Sequence, residues 1–149
     1  MIYQMQEGHL TLEGEWQDRS VNLLAAQHLA VKGANLTITR EPLPPGVGFA
    51  DYLSQQKRIL AKELSELNMI ADNADTQDES PAHYLEFDWS NQGSRLHQML
   101  MVVHIEDSVL NMTATIPGEL DEPTREALLA AMRSFRFGPA PVAEEDKPK

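Results

Sequence analysis

The sequence predicts an α+β domain, a mainly antiparallel β-sheet packed with helices. Three observations lead there. Ala82–Trp89, Arg95–Glu106 and Ser108–Ile116 follow one another as strand-like runs, with Asn91-Gln92-Gly93 and Asp107-Ser108 as the turn signals between them. Phe49–Leu67 repeats apolar residues at steps of three and four, the mark of one helix face. Pro123–Phe135 does the same through Ala127, Leu128, Ala131, Met132 and Phe135, with Pro123 suited to the first turn. A chain of 149 residues with these elements is read as one domain around one core.

In chain order, Ile2–Gln6 and His9–Glu13 read as a hairpin or as edge strands, punctuated by Gly8 and Gly14. Ser20–Leu24 is the next strand, with Val21 and Leu23 on one side and Asn22 and Leu24 on the other. Ala30–Gly33 connects it to Asn35–Thr39, which alternates Leu36 and Ile38 against Thr37 and Thr39. The two runs resemble an antiparallel pair whose apolar sides lie together. Pro42–Gly48 reads as a loop, because its prolines donate nothing to a ladder. The helix after it carries Phe49, Leu53, Gln56, Leu60, Leu64 and Leu67 on one stripe. Asn68–Ala71 is expected to be a short strand and Asp72–Pro81 an acidic loop. The domain is placed at 1–137, and the Pro-rich, charged segment 138–149 is read as a disordered tail.

Composition narrows the chemistry. Without cysteine there are no disulfides, no thiolate catalysis and no Cys-based zinc site, which fits a reducing compartment. The net charge of −11 disfavours nucleic-acid backbones and anionic membrane surfaces. The N-terminus lacks a basic start and an apolar core, so no signal peptide is expected, and no window reaches the ~20 apolar residues of a membrane span. The expected location is the cytoplasm. There is no GxSxG, no phosphate-cradling loop and no HExxH. His9, His28, His83, His97 and His104 lack helical ligand spacing and read as surface or sheet-edge residues. The seven-residue separation of His97 and His104 puts them on opposite faces of one strand. The acidic loop fails the calcium-loop pattern at its sixth and twelfth positions. No enzymatic activity, metal or cofactor is expected.

Binding is the better expectation. Arg95–Glu106 is apolar on both faces: Leu96, Leu100 and Val102 on one, Met99, Met101, Val103 and Ile105 on the other. Helices over both faces, a second subunit, or an open ligand groove would each account for it. Gln56 interrupts the helix stripe and Gln98 a strand face. A buried amide needs partners. These are either backbone groups inside the fold or a bound peptide. Methionine-rich surfaces adapt to varied partners, although core packing explains any single methionine.

Several segments carry a family likeness: Trp16-Gln17-Asp18 with Ser20-Val21-Asn22-Leu23, then Ile38-Thr39-Arg40, then Phe49-Ala50-Asp51-Tyr52 with Gln56, and later Tyr84–Trp89 with Leu96–Val102. In these segments the chain resembles the DcrB-like domains that serve as Eag-type chaperones of type VI secretion effectors, from Ile2 to Phe137. The resemblance implies a Mog1/PsbP-like fold and a cytoplasmic homodimer. It implies binding of the hydrophobic N-terminal, pre-transmembrane helices of Rhs or PAAR effectors, without direct membrane insertion. The groove positions it implies are Val21, Leu23, Leu36 and Ile38, with Gln56 and Gln98, while Trp16-Gln17-Asp18 and Phe49–Tyr52 hold the fold. The Leu43–Gly48 and Asp72–Pro81 loops have no match to carry over. The missing lipobox cysteine argues against the lipoprotein branch of the family. Two other classes stay open: a small-ligand-binding or enzymatic domain on the same sheet, and an adaptor that docks effectors on the secretion spike.

Overall fold

The computed structural model describes residues 1–141. A small hairpin comes first, β1 (Ile2–Gln4) against β2 (His9–Thr11), as predicted. The main sheet follows with β3 (Asn22–Ala25) and β4 (Asn35–Pro42), then helix α1 (Phe49–Glu63). Four long strands come next: β5 (Ser65–Gln77), β6 (Ser80–Asn91), β7 (Ser94–Ile105) and β8 (Ser108–Pro117). Helix α2 (Glu122–Arg133) closes the domain. The spatial order is β3-β4-β8-β7-β6-β5, antiparallel throughout. Two of the three tight turns between these strands, Asp78-Glu79 and Gln92-Gly93, hold two residues at positive φ (47° and 70°, 52° and 88°). That geometry matches the right-handed twist of the strands it joins.

Each face of the sheet carries its own helix. On one, Leu128 and Met132 of α2 pack on Tyr84, Met99, Met101, Met112 and Ile116. On the other, Tyr52 and Leu53 of α1 bury Val102 and Val109, with half-buried Leu100 and Phe49 beside them. Helix α1 starts over β7 and β8, where Phe49 stacks on His104 at 4.9 Å and Asn111 donates to the Tyr52 hydroxyl at 3.3 Å. It reaches β5 through Lys57, 3.2 Å from Asp72. Of the three explanations for the doubly apolar β7, helices on both faces account for its buried centre. Helix α2 is capped by Asp121, whose carboxylate accepts from the Thr124 N–H at 3.0 Å, with Pro123 in the first turn.

Three boundaries depart from expectation. Helix α1 ends at Glu63 rather than Leu67, since Leu64 is already extended at φ −94°, ψ 122°. The predicted short strand and acidic loop form one strand, Ser65–Gln77, with register shifts near Ser65/Asn68 and Met69/Ala71. As an edge strand it is largely exposed, and its charged side chains, among them Asp72 paired with Lys57 and Asp75 paired with Arg133, discourage further strand pairing. Pro42 lies inside β4, at its last position, where a missing donor is tolerated. Part of the predicted tail, 142–149, falls outside the described residues.

Candidate functional site

The register divides the six proposed groove residues between the two faces. Leu23 lies opposite Thr37, Thr37 opposite Thr113, and Thr113 opposite Leu100. One row along, Thr115 lies opposite Gln98. This is the face that carries α1 and half-buried Gln56. Leu23 is 66% exposed here, and Val21, on the same side by alternation, is 58% exposed. Leu36 and Ile38 point the other way, opposite Ala114 and Met112, and pack partly buried on the α2-side core. The expectation that Leu23 lies with Leu36 is therefore corrected. Leu24 is the residue opposite Leu36, and Thr37 lies opposite Leu23.

Gln98 is half-buried and already engaged. Its Oε1 accepts from the Trp89 indole at 2.7 Å and its Nε2 donates to the Thr115 hydroxyl at 3.0 Å. A primary amide has two donors and two acceptor lone pairs, so one of each is left for a ligand. The internal contacts fix the orientation in which Gln98 presents them. Trp16, expected to hold the fold, is 59% exposed, and its indole donates to the Glu13 carbonyl at 2.7 Å. Tyr52 fits the structural role expected of its segment, being buried against the sheet.

The opposite face holds a buried polar cluster absent from the sequence reading. The Glu86 carboxylate accepts from the Tyr84 hydroxyl at 2.7 Å, from Arg125 Nε and Nη2 at 2.7 Å each, and from His97 Nε2 at 2.6 Å. Burial alone would raise its pKa. Hydrogen bonds from Arg125, Tyr84 and His97 outweigh that and hold it at about 2. Burial and the Glu86 charge push the Tyr84 hydroxyl up. His97 is thus buried on an inner strand, not at the surface or an edge as expected. Its placement opposite in face to His104, which stacks on Phe49, follows the strand alternation. The available sequence signal was Glu86 itself, a lone charge in the run Ala82–Phe87. A smaller group joins Asp72 to His83 at 2.5 Å and to Lys57, and the His83 bond leads in lowering the Asp72 pKa. Among the described residues no three His, Cys, Asp or Glu side chains form a metal-holding group. No described helix is long and apolar enough to cross a membrane.

A six-stranded antiparallel sheet with one helix on each face is an α+β fold of the kind seen in PsbP-like structures. CyanoP, the PsbP protein of the cyanobacterium Synechocystis, superposes with a TM-score of 0.55 at 12% identity, over 79% of this chain and 82% of its own. PA94 of Pseudomonas aeruginosa, a protein of unknown function, is similar at a TM-score of 0.77 and 24% identity, over 94% of this chain and 98% of its own. The DcrB family model matches residues 7–134, and the chain belongs to the DcrB family. No curated protein matches its sequence.

Proposed function

We propose that this DcrB-family domain is a holdase for hydrophobic helices, and that its client is the N-terminal pre-transmembrane segment of a type VI secretion effector of the Rhs or PAAR kind. In this reading it acts in the cytoplasm as a homodimer and catalyses no reaction. One observation carries the proposal: two large aliphatic side chains, Val21 and Leu23, are mostly exposed at the edge of a sheet face whose neighbouring rows bear hydrogen-bonding groups. Covering each with a client helix gains about 1–2 kcal/mol, a share of the full burial value set by its exposure. Thr37, Thr113, Thr115 and the oriented Gln98 amide supply donors and acceptors for polar atoms on the client. The groove is therefore revised to Val21, Leu23, Gln56 and Gln98 with these threonines, leaving Leu36 and Ile38 to the core.

The test is co-expression with the N-terminal segment of an effector encoded beside this protein, followed by affinity purification. Wild type should retain the segment. Leu23→Asp should lose it while keeping wild-type circular dichroism and melting. Equal recovery by a folded Leu23→Asp would refute the groove.

A further inference from the structure

The outer edge of β4 is only partly covered. Its ladder with β3 runs from Asn35 opposite Ala25 to Ile38 opposite Asn22 and stops there, while β8 stays paired with β4 as far as Pro42. The Ala26 N–H donates to the Ala34 carbonyl at 3.0 Å in the same register, so the even-numbered residues of β4 turn their N–H and C=O groups toward β3. Continued by two residues, that register would set Ser20 opposite Arg40. The Ser20 N–H instead donates to Asp18 Oδ1 at 2.9 Å, and its hydroxyl donates to the same oxygen. Among the described residues no backbone bond joins 17–21 to 39–42. The Arg40 N–H and C=O therefore face a slot of about 680 Å³, with residues 17–21 along one wall and 39–42 with Ser108 along the other.

The facing of β4 selects what fits. Arg40 lies opposite Leu110, which packs on the α2 side, and Glu41 lies opposite Val109, which packs under α1. The exposed Arg40 side chain thus leaves the sheet on the face away from the Glu41 carboxylate. The ion pairs among the described residues use Lys57, His83, Arg95, His97, Arg125 and Arg133, and none uses Arg40 or Arg19, which lines the same slot. An added antiparallel strand would set one residue opposite Arg40, exchange both backbone bonds with it and bring that residue's side chain beside the guanidinium. The residues before and after it would turn to the other face, where Val21, Thr39 and Glu41 line the slot. Aliphatic side chains suit Val21 there, and a second acid would meet Glu41. We propose that this slot takes up an extended peptide by strand addition, with an acidic residue opposite Arg40 and a β-branched residue on either side of it. The slot shares Val21 with the groove, but the proposal does not rest on the holdase reading.

Amide exchange and ¹H–¹⁵N spectra of the full chain provide the test, with acetyl-Thr-Val-Glu-Val-Thr-amide as the probe. The expected result is a saturable shift and slowed exchange of the Arg40 amide, in the millimolar range usual for so short a peptide. Replacing the probe's glutamate by glutamine should weaken binding about tenfold by removing a charge-assisted bond. N-methylation of that residue should abolish binding, because it removes the donor to the Arg40 carbonyl. Arg40→Gln, an exposed change that keeps the backbone, should bind the two peptides equally weakly. A folded Leu23→Asp should bind the glutamate probe as wild type does, so the slot and the groove are read separately. No saturable change at Arg40, equal binding of the glutamate and glutamine peptides by wild type, or undiminished binding of the N-methyl peptide would each overturn the proposal. So would the same response to inorganic phosphate, which would make the slot a bare anion site. An Arg40 amide already protected without peptide would mean that another part of this chain or a second copy fills the slot, and would overturn it too.

Discussion

Glu86 should make the stability of this domain depend on acid in a way a single variant isolates. Its folded pKa of about 2 lies below the ordinary 4.5. A carboxylate with a depressed pKa contributes stability that is fully present above the unfolded value. That contribution disappears as pH falls from 4.5 toward 2, because the unfolded chain takes up the proton first. The difference corresponds to about 3 kcal/mol, a large part of the 5–15 kcal/mol typical of a domain. Glu86→Gln keeps the shape and removes the charge, leaving Arg125 without its bidentate acceptor. At neutral pH it should cost about 3–5 kcal/mol, as expected when one partner of a buried pair is removed. Urea denaturation of both proteins across the acid range is the assay. The gap between them should be widest above pH 4.5 and narrow steadily below it, while Asp72 and Asp88 act equally in both. A gap that stays constant down to pH 3 would refute the assignment of Glu86 as the ionised centre of this cluster.

Other consequences follow from burial and register. Leu23→Ala should change stability by less than about 0.5 kcal/mol, while Ile38→Asp should unfold much of the population; chemical melts of the two would separate groove from core. Equal melts would contradict the facing of β3 and β4. Gln98→Ala leaves the Trp89 indole and the Thr115 hydroxyl without their partner and should cost about 1–2 kcal/mol, read by tryptophan fluorescence in urea. Met132→Ala empties a fully buried position under α2 and should cost about 2–5 kcal/mol, lowering the melting temperature by roughly 2–4 °C for each of them.

The strands β6, β7 and β8 and both helices were readable as periodic patterns, because a residue facing the core must be apolar whatever lies opposite it. The same rule predicted the opposite facing of His97 and His104. It failed at β5, whose sequence SELNMIADNADTQ carries little apolar periodicity. That segment is a strand because β6 offers it a ladder, and an edge strand needs no buried side. The candidate site was half visible. Gln98 could be singled out as an amide among apolar residues, but its partners Trp89 and Thr115 lie 9 and 17 residues away.

Period, turns and composition belong to the chain read locally. They settle the α+β class, the hairpin order and the lack of thiol chemistry, since each depends on a residue and its near neighbours. Facing and company are different. Whether Leu23 or Leu24 accompanies Leu36 depends on the β3–β4 register, and a slip of one residue would send every side chain to the other face. Glu86, His97 and Arg125 meet only because β6, β7 and α2 converge, with Arg125 39 residues beyond Glu86. No local pattern encodes that meeting. The packed sheet brings the charges together and excludes the water that would otherwise hold them apart.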